Sequence, residues 1–277
     1  MNGDAMKRSI SFARGCVCLI GLTLAMSARS DPAQEPIQVL AAGSLKSAFT
    51  AIIAEWQRAH ADQPVSLTTS PAGALRERIE HGETFDLYAS AALTHAEALH
   101  QEGWTGPAVM FAHNRLCATV RAESGVTSQT LVTTLLSPAT RIATSTPKSD
   151  PGGDYTWEFF RRIDQQHPGA FSDLTIRAKQ VYGGPVAQKV PSRSLSAMVA
   201  EGEFDVAIGY CSGMGSLKEP AVKSVPLPAP APMADYGLAV SRKAGAPVGE
   251  FAMFVLSPVG QRILADHGFI SVGLPSD

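Results

Sequence analysis

From residue 36 onward, short apolar runs alternate with stretches whose apolar residues return every three or four positions. The first run, Ile37-Gln-Val-Leu-Ala-Ala42, is almost wholly apolar and predicts a strand buried on both faces. Leu45, Phe49, Ile52, Ile53 and Trp56 then share one helical face, which predicts a helix over 45–60. The alternation continues as strand 65–69, helix 73–80, strand 85–89 and helix 94–101. Two extended runs, 109–111 and 116–120, flank His113-Asn114-Arg115, which suits a first crossing between two domains. Beyond it come a helix at 131–136, a strand at 141–144 and a long amphipathic helix at 155–166. An extended run at 176–182, a helix at 194–201 and the buried strand Val206–Tyr210 follow. The proline-punctuated segment 226–232 is stiff and extended, as a return crossing would be. Strand 236–240 and a helical stretch over 248–267, interrupted at Ser257-Pro258, close the pattern. Strands alternating with helices predict an α/β fold. Two such units and two crossings predict two lobes, each with its own sheet. The first lobe is then discontinuous, 36–114 plus 233–277, and the second spans 115–232.

The first residues follow a different pattern. Lys7, Arg8 and Arg14 precede a short apolar run, 15–26, and small residues come next. That run is shorter than the roughly 20 residues a membrane span requires, so residues 1–28 read as a cleaved signal peptide and the protein as periplasmic. Cys16 and Cys18 do not sit where a lipoprotein junction needs a cysteine, so no lipid anchor is expected. Removing 1–28 moves the formal charge from −2 to about −4. A weakly acidic chain without a basic run is a poor partner for nucleic acid or anionic membrane. Only Cys117 and Cys211 remain after cleavage. An oxidising compartment permits a bridge, but two independent buried thiols are the simpler reading at that separation.

Candidate chemistry lies at two strand-to-helix junctions. Ser44 follows the first strand in Ala41-Ala-Gly-Ser44, and Ser70 follows the second in Thr68-Thr-Ser70-Pro-Ala-Gly73. Helix starts leave backbone N–H groups unpaired, and two such starts with hydroxyls around one crevice form a site for a small anion. In open α/β sheets, ligands bind beyond the carboxyl ends of the strands, where both serines lie. Each serine has a plainer reading as a helix N-cap.

Ala41-Ala-Gly-Ser44-Leu, Thr69-Ser70-Pro-Ala-Gly-Ala-Leu, Phe85-Asp-Leu-Tyr-Ala-Ser-Ala91, Asn114-Arg-Leu, Pro151-Gly152-Gly153-Asp-Tyr155 and Gly202-Glu-Phe-Asp-Val-Ala-Ile-Gly-Tyr210-Cys-Ser212 occur in a distinctive order. Through them the chain resembles the periplasmic molybdate-binding proteins of ABC transporters, from Ile37 to about Phe269. The resemblance implies a two-lobed, Venus-flytrap periplasmic binding protein, a monomer that hands molybdate or tungstate to a membrane permease. It also implies an oxyanion held without a cation or cofactor, by hydroxyls and backbone amides. Carried over by position, the site is Ser44, Ser70, Gly152, Ser192 and Tyr210, with Gly152 and Ser192 contributing backbone N–H groups. The family commonly has alanine where Gly152 stands and an apolar residue near Ser192. A shell of neutral donors implies discrimination against protonated phosphate, and cavity size implies discrimination against sulfate.

Catalytic readings fare worse. The seven histidines are scattered, and no HExxH, CxxC, GxSxG or phosphate-loop pattern occurs. Asp86 and Asp205 start buried strands, where a cap or hydrogen-bonding role fits better than acid–base work. The alternatives are a receptor for another tetrahedral oxyanion or a small organic anion, or a secreted hydrolase with Ser44 or Ser70 as nucleophile.

Overall fold

The strand Val109–Arg121 is 13 residues long and organises everything around it. In the computed structural model, which describes Met1 and residues 35–183, 193–213 and 220–273, it belongs to a single 10-stranded sheet. In chain order the elements are β1 (Ile37–Ala42), α1 (Lys46–Ala59), β2 (Val65–Ser70), α2 (Ala72–Glu80), β3 (Leu87–Ser90), α3 (Leu93–Gln101), β4 (Val109–Arg121), α4 (Leu131–Leu136), β5 (Ile142–Ser145), α5 (Pro151–Asp164), α6 (Ala170–Arg177), β6 (Lys179–Tyr182), α7 (Leu195–Ala200), β7 (Val206–Tyr210), β8 (Val222–Pro226), β9 (Met233–Val240), α8 (Ala246–Leu256), α9 (Pro258–Asp266) and β10 (Ile270–Ser271). Strand order is β2-β1-β3-β9-β4-β7-β5-β6, with β8 and β10 also pairing with β4. On one side β1 runs parallel to both β2 and β3; on the other β5 runs parallel to both β6 and β7. The fold is mixed α/β and two-lobed, as expected. The sheets, however, are not separate: they share β4.

Alternation along β1 explains the layers. Val39 and Ala41 join one core cluster with Phe49 and Ile52 of α1, while Leu40 joins another with Leu75 and Ile79 of α2. A strand covered by helices on both faces must be apolar throughout, as this one is. The same holds for β5, where Ile142 packs with Phe159 and Phe160 of α5, and Ala143 with Met198 and Val199 of α7.

Several expectations change. The segment 112–115 is not a loop between two runs but the middle of β4. There Ala112, His113, Asn114 and Arg115 pair with Tyr236, Asp235, Ala234 and Met233. Backbone pairing with β9 satisfies groups that the polar side chains had suggested were solvated. Helix α5 starts at Pro151 rather than 155, because the Asp150 carboxylate accepts the Gly152 N–H at 2.9 Å and proline suits a first helical turn. Ile176 and Arg177 end helix α6 instead of starting a strand. The Asp164 carboxylate anchors the start of that helix by accepting the N–H groups of Gly169 and Phe171. Strand β8, to which the sequence pattern assigns no element, pairs with β4 through residues 222–226.

The cysteines also differ from the expectation of two free thiols. Cys117 on β4 and Cys211 just past β7 form a disulfide, with their Cα atoms 5.0 Å apart. The β4–β7 register sets Leu116 opposite Tyr210, which brings the two cysteines together despite 94 residues of separation. A loop of that length loses much chain entropy on closure, so the bond stabilises by about 3–5 kcal/mol in the entropic account. Reduction, or the double variant Cys117→Ala/Cys211→Ala, is expected to lower the thermal midpoint by roughly 10 °C. An unchanged midpoint in a scanning calorimeter would remove this bond from the stabilising set.

Candidate functional site

At the carboxyl end of β1 the chain makes a 3₁₀ turn, Gly43–Leu45, before entering α1. Ser44 sits in that turn, and Ser70 ends β2 directly beside Ala42 in the parallel register. Neither serine is a helix cap. The N-cap positions of α1 and α2 are Leu45 and Pro71, and no side chain accepts from their first turns. The plainer reading of both serines is therefore not realised. The first-turn amides are left without side-chain partners.

Ser44 instead meets a residue that sequence reading treated only as the start of a strand. Its Oγ lies 2.9 Å from the Tyr236 hydroxyl. The Asn114 Nδ2 group donates to the same hydroxyl at 3.3 Å and to Ser212 Oγ at 2.8 Å. The Ser212 N–H returns to Asn114 Oδ1 at 3.4 Å, which fixes the orientation of the amide. A tyrosine hydroxyl has one proton. With Asn114 donating into its oxygen, Tyr236 can give that proton to Ser44. Ser44 then keeps its own for a guest.

Tyr210 ends β7 on the opposite side, its ring centroid 5.8 Å from that of Tyr236. Its hydroxyl is buried, with no hydrogen-bond partner among the described residues. Leaving a buried donor unpaired costs about 1–3 kcal/mol, so a hydroxyl without a partner among the described residues is a candidate ligand contact. Burial, followed by the neighbouring Tyr236, Asp150 and Tyr155, holds the Tyr210 hydroxyl well above its ordinary pKa. Burial likewise raises Tyr236, and it pushes Tyr155 up to about 12. All three remain protonated donors across the physiological range.

Helix α5 starts beneath Tyr210. A Cβ added to Gly152 would lie 3.4 Å from Tyr210 Cε2 and 2.9 Å from Ser145 Oγ. At Gly153 it would lie 2.5 Å from the Ser145 carbonyl, so the pair is not a turn but a close approach of helix to strand end. The Gly152 amide, expected as a free donor, gives its hydrogen to Asp150 Oδ1. Asp150 is a further residue of the site that local pattern does not reveal. Burial raises its carboxyl to about 6, against the Gly152 N–H, which pulls it down, and with Asp154, which adds to the rise.

The two sides of the cleft touch. The Ala74 N–H at the start of α2 donates to the Ser149 carbonyl at 3.2 Å. A Cβ on Gly73 would stand 2.1 Å from the Lys148 carbonyl oxygen, so only glycine allows this approach. Lys148 holds a left-handed φ of 71°, a strained conformation for a residue with a side chain. Both oxygens of Asp154 accept its N–H at 3.0 Å, which holds the strained turn in place.

Ser44, Tyr210 and Gly152 thus come together through Tyr236 and Asp150, with Ser70 on the adjoining strand end. Ser192 lies outside the described residues, as does the expected signal peptide apart from Met1. No group of three or more metal-ligating side chains occurs among the described residues. Asn114, Ser212 and Tyr236 could not be found from local pattern, since each meets its partner across 98 or more residues of chain.

Residues 37–270 match the profile of the bacterial extracellular solute-binding proteins. A protein of Pasteurella multocida (strain Pm70), described as uncharacterized, is 38% identical over 190 residues, 66% of this chain and 77% of that one. The periplasmic molybdate-binding protein of Azotobacter vinelandii has the same fold, with a TM-score of 0.69 and 17% identity over 87% of this chain and 100% of its own. The sulfate-binding protein SubI of Mycobacterium tuberculosis H37Rv gives a TM-score of 0.70 at 17% identity, covering 86% and 88%. At such identities the two structures speak for architecture alone. The profile match spans most of the chain, from β1 to the start of β10, and on that ground the chain belongs to the bacterial extracellular solute-binding protein family.

Proposed function

We propose that this protein is the periplasmic receptor of an ABC importer, which closes on a tetrahedral oxyanion, molybdate or tungstate, and delivers it to a membrane permease. In this reading residues 1–28 direct export, the lobes are 36–114 plus 233–277 and 115–232, and the working form is a monomer without cofactor or catalytic step. The observation that carries it is the buried hydroxyl of Tyr210, without a partner among the described residues, on a ring packed against Tyr236, whose own hydroxyl meets Ser44. Both are donors, and a donor-lined cleft selects a guest that accepts.

The magnitudes are compatible. Burying a bare anion costs tens of kcal/mol by an idealised Born estimate. Hydrogen bonds to a charged group return about 1.5–3 kcal/mol each, so a shell of roughly seven contributes on the order of 10–20. Uncapped helix starts at α1 and α2 add about half a positive charge each. Another tetrahedral oxyanion remains the second reading within the same chemistry, since both molybdate- and sulfate-binding proteins share this fold. A hydrolase is disfavoured because the partner of Ser44 is a tyrosine whose raised pKa makes it no base. Closure is expected to use the contact already described, in which Gly73 meets the Lys148 carbonyl.

Thermal melts with molybdate, tungstate, sulfate and phosphate test the reading. Ligand at a hundred times its Kd stabilises by about 2.7 kcal/mol, a midpoint shift of roughly 5–10 °C. No shift with any of the four would reject the oxyanion. Ser44→Ala and Tyr210→Phe each remove one donor, and are expected to weaken binding by about 1.5–3 kcal/mol in calorimetric titration. Gly73→Ala places a methyl group against the Lys148 carbonyl, and is expected to lower affinity at least about tenfold with unchanged circular dichroism. Wild-type affinity in Gly73→Ala would show that the contact does not accompany capture.

A further inference from the structure

A cleft designed only for a fully deprotonated anion has no use for a carboxylate, yet one stands beside Gly152 and within electrostatic reach of Tyr210 and Tyr236. The Asp150 carboxylate oxygen lies 2.9 Å from the Gly152 nitrogen and 3.4 Å from the position a Gly152 Cβ would take, which is itself 3.4 Å from the Tyr210 ring. The groups around it can be named element by element. Lys148 precedes it in the same turn, but its charge bears on Asp154, which also accepts its backbone N–H. Asp154 and Tyr155 lie on α5, Tyr210 on β7 and Tyr236 on β9. Gly183, just past β6, packs against the Asp150 side chain and carries no charge. Among the described residues, the groups that shift this carboxyl include no cation. An ionised Asp150 would therefore face an incoming dianion without a neutralising partner.

We propose that Asp150 makes anion capture proton-coupled: the closed cleft holds the oxyanion together with one proton, carried on the Asp150 carboxyl. This rests on the oxyanion reading given above. The balance is simple. The ionised carboxylate takes one proton from solvent as the anion enters, becomes a neutral acid, and turns its O–H toward a guest oxygen. The other carboxyl oxygen continues to accept the Gly152 N–H. On release the proton returns to solvent. Like charges in one low-dielectric site cannot both persist, and the carboxyl, already raised to about 6 by burial, is the group that neutralises. Asp150 thereby acts as a specificity residue as well, since it replaces a repulsive contact by a donor only where a proton is available.

Calorimetric titration of the intact exported chain with molybdate, and separately with sulfate, between about pH 5.5 and 8.5 tests this. Neither anion titrates in that range, so any slope belongs to the protein. In the wild type, Kd is expected to rise about tenfold per pH unit above roughly pH 6.5, with about one proton taken up per anion when buffers of different ionisation enthalpy are compared. Asp150→Asn keeps an oxygen to cap Gly152, and is expected to bind with a flat pH profile, no proton uptake and a lower Kd than wild type at pH 8.5. A flat wild-type profile overturns the proposal, and so does an unchanged slope in a folded Asp150→Asn. Binding by neither protein at any pH would instead reject the oxyanion reading, and the proposal with it.

Discussion

The Tyr236 hydroxyl is the point on which the site turns. It is buried at the centre of an aromatic group in which Phe111, Tyr210 and Phe269 pack around its ring at centroid distances of 6.2, 5.8 and 5.3 Å. A hydroxyl so enclosed cannot be left without partners. It therefore fixes Ser44 from the end of β1 and Asn114 from the middle of β4, and Asn114 in turn fixes Ser212 beyond β7. One oxygen thus ties three chain segments to one another and gives the serine a defined direction for its proton. Remove it, and the strand ends retain their positions but lose their polarity toward the cleft.

Around that centre the electrostatics are asymmetric. The β1 side presents hydroxyls and uncapped helix starts. The α5 side has its first turn capped by a carboxylate, with a second acid, Asp154, locking the adjoining turn. An uncapped start of helix α5 would offer a bare positive end to an anion. Its field is instead partly answered from within the protein, and the orphan donor passes to Tyr210. Neutral donors would hold an anion without long-range attraction, in keeping with a chain whose net charge is slightly negative.

The framework was legible in the sequence where it depends on short-range pattern. The apolar run of β1, the turn at Gly43-Ser44, the run Val206–Tyr210 and the break at Ser257 all appear near the predicted places, because burial on two faces and helix termination are local facts. Ser44 and Tyr210 are legible as candidates in the sequence, and in the structure each contacts Tyr236. What stayed hidden depends on register. Asn114 and Tyr236 meet because β4 and β9 pair at one particular offset, and Cys117 meets Cys211 because β4 and β7 do. No residue type near either position announces that offset. Asp150 was hidden differently. Pro-Gly-Gly after an aspartate reads as a turn until the tight packing of Gly153 on the Ser145 carbonyl shows that a helix begins there.

The unbroken β4 has a mechanical consequence. A hinge made of loops lets two bodies swing freely, with resistance only at the ends of travel. Here the backbone ladder passes from β9 to β7 along the same 13-residue strand, and the disulfide rivets its far half to the next strand. Relative movement of the halves must twist that rod, distributing small changes over many paired residues. Such a joint behaves as a torsion spring: its arc is short, its rest position is defined, and whatever deflects it is met by a restoring force from the sheet itself.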